Sequence, residues 1–275
     1  MRPQTRIRRF SPLQRLFHLF LMLTFLTQAS TGLARMFIET RWGKNLAGFF
    51  GGYEICRTIH IYVGIFMLCG FALHAAYVLS RINWRQFPRS LFGPDSLLLQ
   101  FKDLKEFLLH VGWFLNVTRG PEFDRWGYWE KFDYWAVFWG IPVLGITGLL
   151  LAYPLSASQI MPGWALNIAF WIHRIEAILA MCHVFIIHFF IGHLRPHSFP
   201  MDQAMFAGSV DVDDARHERP MWIARLEHAG TLQSALVPAP SAAGRAVFYV
   251  FGYLAMATGV FLLIGGLVNA PFITW

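Results

Sequence analysis

Five long runs of apolar residues constrain this chain more than any other feature of its sequence. Each run is long enough to cross about 30 Å of hydrocarbon as a helix. The chain is 56% hydrophobic and only 14% charged, a balance typical of an integral membrane protein. We therefore predict an all-α integral membrane protein with five transmembrane helices, at Leu16–Leu33, Thr58–Ser80, Tyr134–Tyr153, Ala169–Leu194 and Val247–Val268.

One further segment, Leu97–Asn116, mixes apolar and charged residues at helical spacing. This pattern predicts an amphipathic helix that lies flat on the membrane interface and does not cross it. His110 within the segment is predicted to be a surface residue.

Basic residues are concentrated in alternate connecting segments. Most of the Lys and Arg lie in the N-terminal segment, in Arg81–Lys131 and in Arg195–Arg245. The positive-inside rule then predicts a protein of the bacterial inner membrane, with a cytoplasmic N-terminus and a periplasmic C-terminus. The net charge of +7 is explained by this topology, and nucleic acid is not an expected partner.

Histidines at the predicted spans indicate a cofactor, because an imidazole in hydrocarbon must find a partner. Two spans carry histidine pairs, 14 and 15 residues apart, so each pair lies on roughly one helix face with about 21 Å between its members. Two such helices could hold two flat haems, whose iron accepts an imidazole on each side. Six histidines lie at matching depths inside or at the edges of the spans: His18, His60, His74, His173, His188 and His193.

Other sequence features limit this interpretation. The chain has no Cys-x-x-Cys-His, which excludes covalent attachment of haem. Glycines within the spans, such as Gly32 and Gly148, would make room for a porphyrin or for close helix packing.

The rival class is a haem-free transporter or a passive membrane anchor. A transporter would show charges near the middle of its spans, and an anchor would need no histidines at matching depths in its helices.

Depth in the membrane suggests how the histidines pair. His60 and His173 lie just inside the outer surface, whereas His74 lies seven residues before Arg81 and His188 seven before Arg195. Spacing therefore predicts the pairs His60–His173 and His74–His188, with His18 and His193 level with each other at the cytoplasmic rim. His183, five residues before His188, would lie about 140° around an α-helix and could not serve the same haem.

Several motifs resemble the cytochrome b subunits of membrane formate dehydrogenases and nickel-hydrogenases. They are Arg15-Leu-Phe-His18, Arg57-Thr-Ile-His60, and the two histidines of the fourth span. Longer stretches are similar to a branch of the family associated with multihaem c cytochromes, and the resemblance extends to about Asp202. These stretches are Gly127–Gly140, Pro162–His173 and His188–Asp202.

The resemblance implies two haem b groups with defined ligands. His60 and His173 hold the outer haem, as spacing also predicts, whereas His18 replaces His74 as the partner of His188 at the inner haem. We follow the resemblance for the inner pair. His74 and His193 are then left to bind a third haem or to line a quinone site.

The resemblance also implies a function and its partners. The chain would carry electrons between the quinone pool, with quinone or menaquinone as substrate, and a periplasmic multihaem c cytochrome or iron–sulfur subunit. Residues 1–195 would form the haem-binding transmembrane region, 196–245 a cytoplasmic irregular segment, and 246–275 the fifth transmembrane helix and periplasmic C-terminus. The candidates for contacts to quinone or to haem propionates are Arg15, Arg195, Arg174 and Glu176.

Overall fold

The computed structural model describes residues 6–195 and 198–273. Five helices are long and apolar enough to cross a membrane, so the predicted spans are confirmed. Each begins four to six residues before its predicted start, because the end of a helix can extend beyond the hydrocarbon into the membrane interface. These helices are α1 (Pro12–Met36), α3 (Tyr53–Ser80), α5 (Tyr128–Ala152), α7 (Gly163–Cys182) with its extension to Leu194, and α12 (Ala242–Asn269).

Shorter elements connect the spans. Helix α2 (Arg41–Phe49) follows α1, and Thr40 caps it by accepting a hydrogen bond from the Gly43 amide. The other short elements are α4 (Phe101–Phe114), α6 (Pro154–Ala157), α8 (Ala204–Ala207), α9 (Val212–Glu218), α10 (Pro220–His228), α11 (Leu232–Ala235), β1 (Arg6–Arg8), β2 (Ser209–Asp211) and β3 (Leu236–Val237).

The chain divides into two compact units, each built from three separate stretches. The first comprises Met1–Arg15, Ala76–Phe138 and Gln203–Phe248. A small antiparallel sheet of order β2-β1-β3 lies within it, with Ile7 opposite Val210 on one side and Leu236 on the other.

The segment 196–245 was predicted to be irregular, but its described part is largely ordered. It contains α8 to α11 and two strands, β2 and β3; residues 196 and 197 lie outside the described part. Its order comes from contacts with distant residues: Ile7 on β1 is fully buried against Trp222 and Ile223. Strands of two or three residues show no alternation of apolar and polar residues that a sequence could reveal.

Helix α4 is amphipathic as predicted, with its apolar side facing outward. Phe101, Leu108 and Phe114 are 93%, 59% and 72% exposed, whereas Asp103 and Glu106 are buried. Lys131 pairs with Asp103 at 2.8 Å within the first unit. An outward apolar face and an inward acidic face suit a helix at a membrane interface.

His110 differs from the surface residue that we predicted. It is half-buried, its Nδ1 lies 3.1 Å from the Tyr128 hydroxyl, and its ring stacks on Phe114 at 4.9 Å. The helical pattern places His110 on the inner face of α4, beside the aromatic residues that begin α5.

The second unit comprises Leu16–Ala75, Trp139–Asp202 and Tyr249–Trp275 and contains most of the spanning helices. Its core joins Leu33 of α1 and Leu262 of α12 to Phe185 and Phe189. A Cβ at Gly259 of α12 would lie 2.6 Å from the Phe189 ring, so this glycine permits the close approach.

Helix α7 continues as a π-helix over His183–His188 and Phe190–Leu194. A π-helix closes i→i+5 hydrogen bonds, so about 4.4 residues fill each turn. The angle of about 140° that we predicted between His183 and His188 assumed an α-helix and does not apply here. Residues five apart lie much closer to one face in the π-helical geometry.

Candidate functional site

The second unit brings four of the predicted histidines together in two pairs. The ring centroids of His60 on α3 and His173 on α7 are 6.3 Å apart. The rings of His18 on α1 and His188 on the π-helical extension are also 6.3 Å apart. Each pair joins two different helices, so its spacing is fixed by helix packing.

This spacing suits a metal ion between the two rings of a pair. With metal–nitrogen bonds of about 2 Å and about 1.1 Å from a ring nitrogen to the ring centre, two axial imidazoles have centroids about 6 Å apart. No cluster of three or more metal-binding side chains exists among the described residues. A metal held by such pairs must therefore bring its other ligands, as an iron porphyrin does.

Threonine hydroxyls hold both rings of the outer pair. Thr31 Oγ1 lies 2.9 Å from His60 Nδ1, and Thr147 Oγ1 lies 3.0 Å from His173 Nδ1. Each hydroxyl donates its single hydrogen to the carbonyl four residues earlier on its own helix, at 2.7 and 2.6 Å. Each threonine oxygen therefore accepts from Nδ1–H, which leaves the lone pair on Nε2 for a metal.

A glycine follows each of these threonines and lies against the same ring. A Cβ at Gly32 would be 3.3 Å from His60 Cε1, and one at Gly148 would be 3.1 Å from His173 Cε1. The sequence Thr-Gly-Leu occurs at both places. The two glycines were identified from the sequence and the two threonines were not, although the recurrence of Thr-Gly-Leu in the first and third spans was a visible signal.

Arg35 contributes an unsatisfied cation beside the outer pair. It lies one turn beyond Thr31 on α1, and its charge interacts electrostatically with both His60 and His173. Its Nε is buried and has no hydrogen-bond partner in the described part of the chain. Buried donors in native proteins normally have partners, so this site fits a bound group that carries an acceptor.

The remaining span histidines lie near the inner pair or on its helices. The ring of His193 is 6.3 Å from that of His188, nearly perpendicular to it, and its buried Nδ1 has no partner among the residues described. The ring of His74 packs edge-on against Phe17 at 4.6 Å. The ring facing His188 across helices is that of His18, 6.3 Å away.

Two of the predicted charged contacts lie on α7. The guanidinium of Arg174 lies over the Phe170 ring, 5.1 Å from its centroid. Glu176 Oε1 lies 3.5 Å from the position that a Cβ on Gly140 would take. Both residues are on the helix that carries His173, within one turn of it.

The other two predicted charged contacts bind backbone carbonyls. Arg195 Nε donates to the Ile191 carbonyl at 2.6 Å in the second unit. Arg15 donates to the Phe206 carbonyl in the first unit.

Comparison with protein-family models identifies a family for most of the chain. A family model described as prokaryotic cytochrome b561 matches residues 9–208 of the chain. None of the curated proteins matches it. The matched range contains both histidine pairs and both threonine–glycine steps, while α12 lies beyond it.

Proposed function

The chain belongs to the prokaryotic cytochrome b561 family, and from this premise we propose that it carries electrons between the quinone pool and a periplasmic redox partner through at least two haems. Membership makes it a prokaryotic membrane protein with b-type haem and a role in electron transfer. The number of haems, their ligands and the two redox partners are the proposed part.

His60 with His173, and His18 with His188, are the proposed axial ligands. The observation that carries the proposal is the equal 6.3 Å spacing of the two pairs, which matches two imidazoles on one iron. When bound, haem supplies one-electron redox chemistry. The chain holds the four rings among apolar helices and fixes the protonation of His60 and His173 through Thr31 and Thr147.

The distance between the two histidine pairs along one helix supports electron transfer across the membrane. His173 and His188 are 15 residues apart on the span Gly163–Leu194, or about 20 Å of helix. Two haems at these positions would lie towards opposite membrane surfaces. The distribution of basic residues assigns the His188 end to the cytoplasm and the His173 end to the periplasm.

The quinone site belongs at the inner pair in this proposal. Quinone reduction takes up protons, so the headgroup needs a hydrogen-bonding side chain beside the haem. His193 offers a buried Nδ1 close to His188, and Arg195 lies two residues further on. A third haem held by His74 and His193, or a quinone at Arg174 and Glu176, are the competing assignments.

The partner at the outer pair is proposed to be a multihaem c cytochrome or an iron–sulfur subunit. The support is the similarity of Gly127–Gly140 and Pro162–His173 to the corresponding branch of the family. Pull-down of the chain from its native membrane separates the two: a co-purified c cytochrome carries covalently bound haem that stains in a denaturing gel, whereas an iron–sulfur subunit releases acid-labile sulfide.

A haem count on the purified full-length chain tests the core of the proposal. Acidified acetone should extract all haem, and the pyridine haemochrome should give two haem b per polypeptide. A value near three would assign His74 and His193 to another haem. One haem or none in a folded preparation would contradict the proposal and favour a passive anchor.

A further inference from the structure

The two threonine–glycine steps that hold the outer histidines differ at one position. Four residues after Thr31, α1 carries Arg35, whereas four residues after Thr147, α5 carries Leu151. Residues i and i+4 share a helix face, so Arg35 lies on the face of α1 that holds His60. The Thr31 step therefore brings a positive charge to the outer site that the Thr147 step lacks.

Arg35 has no anionic partner among the residues that the structure describes. It forms no ion pair and no hydrogen bond within residues 6–195 and 198–273, and its Nε is buried. The nearest acidic residues in sequence are Glu39, which is exposed, and Glu54, which lies 4.0 Å from Arg57. An unpaired guanidinium next to apolar helices is costly, so a bound anion is expected to stabilise it.

The proposed cofactor carries that anion. Haem has two propionate carboxylates at one edge, and a guanidinium binds a carboxylate through two parallel hydrogen bonds. We propose that Arg35 binds a propionate of the outer haem, orients the porphyrin between His60 and His173, and favours its reduced state. This inference rests on the proposed ligand pairs and adds a residue to which the sequence analysis gave no role.

The charge of Arg35 has a predictable effect on the redox equilibrium. Reduction adds an electron to the iron, so a nearby cation stabilises the reduced form more than the oxidised form. Removal of the cation should therefore lower the reduction potential of the outer haem and leave that of the inner haem nearly unchanged.

Potentiometric titration of the full-length holoprotein tests this proposal. Arg35→Gln should lower the ratio of reduced to oxidised outer haem about tenfold at a fixed potential, equivalent to about 59 mV for one electron. Arg35→Lys keeps the positive charge but lacks the two parallel N–H donors of a guanidinium. The reduction potential of its outer haem should therefore lie between those of wild type and Arg35→Gln. Arg57→Gln is the control, because Arg57 is a half-exposed arginine on the helix that carries His60.

Infrared difference spectra with ¹³C-labelled propionates identify the anion. The propionate carboxylate bands should shift in Arg35→Lys and not in Arg57→Gln. If these bands do not shift, and the change in reduction potential depends instead on the lipid headgroup, then Arg35 binds a lipid phosphate. That result would overturn the proposal. The measurement uses Arg35→Lys and therefore stands even where Arg35→Gln loses its haem.

The outcomes separate this inference from the proposed function. A wild-type chain without haem would remove both. A wild-type chain with two haems, and an Arg35→Gln variant with full haem content and unchanged potential, would contradict only the role of Arg35.

Discussion

Two hydroxyl groups determine which nitrogen of each outer histidine can bind a metal. Thr31 and Thr147 donate to their own helices and accept from Nδ1–H of His60 and His173. Partners of this kind orient a ligand ring and raise its basicity. The outer site therefore consists of the two histidine ligands together with the threonines that orient them.

Replacement of either threonine by valine should weaken the outer haem site. Thr31→Val keeps the shape but removes the acceptor, so we expect outer haem to be retained about 10–100-fold less tightly. Haem transfer to apomyoglobin measures the loss. Thr24→Val is a matched control, because Thr24 is buried on the same helix and donates to the Phe20 carbonyl. Equal haem loss in both variants would show that Thr31 has no special role.

Alanine at the two ring-contacting glycines should distort the same haem. The added Cβ meets His173 Cε1 at 3.1 Å in Gly148→Ala and His60 Cε1 at 3.3 Å in Gly32→Ala. We expect the larger change in the outer haem's α-band and electron paramagnetic resonance signal from Gly148→Ala. Gly163→Ala has no neighbour within 4 Å and serves as the control. An unchanged spectrum in Gly148→Ala would contradict the expected contact.

Individual elements show where sequence patterns suffice and where they fail. The spans and α4 follow from apolar run length and periodicity, which are local properties. The π-helical end of α7 does not follow from such patterns, because the sequence separation of His183, His188 and His193 does not distinguish an α-helix from a π-helix. Thr31 and Thr147 contact histidines 29 and 26 residues away, and only helix packing creates those contacts.

Helix α4 should make stability depend on pH through Glu106. Burial raises the pKa of its carboxyl above 4.5, so the folded state binds this proton more tightly than the unfolded state. Stability should then decrease as pH rises above about 4.5. Glu106→Gln should increase the melting temperature at pH 7 and flatten its pH dependence between pH 5 and 8.

Glu122→Gln provides the comparison for that experiment, because Glu122 is exposed near the start of α5. Thermal denaturation in detergent, followed by circular dichroism, measures both variants. A Glu106→Gln variant less stable than wild type at pH 7 would show that the carboxylate is stabilised by Lys102, which lies 3.4 Å away.

At the scale of the whole molecule, the two histidine pairs form a series. Electrons from quinol would reach the outer haem only through the inner one. His188→Ala should therefore remove the inner haem and stop quinol from reducing the outer haem, which dithionite would still reduce. The outer ligands, His60 and His173, remain in this variant.

The choice between His18 and His74 is settled by the same assay. We expect His18→Ala to reproduce the His188→Ala result, because the His18 ring lies 6.3 Å from that of His188. His74→Ala should leave the inner haem in place. The reverse result would restore the pairing that equal depth predicted from the sequence.

The recurring Thr-Gly-Leu step has a consequence for the symmetry of the outer site. One helical hairpin, α1 with α3, supplies a threonine, a glycine and a histidine, and a second hairpin, α5 with α7, supplies the same three. The site is thus two nearly equivalent halves facing each other. Two copies of a single hairpin would present the same donors to one porphyrin, so a symmetric dimer of a short two-helix peptide is a rational starting point for a synthetic version.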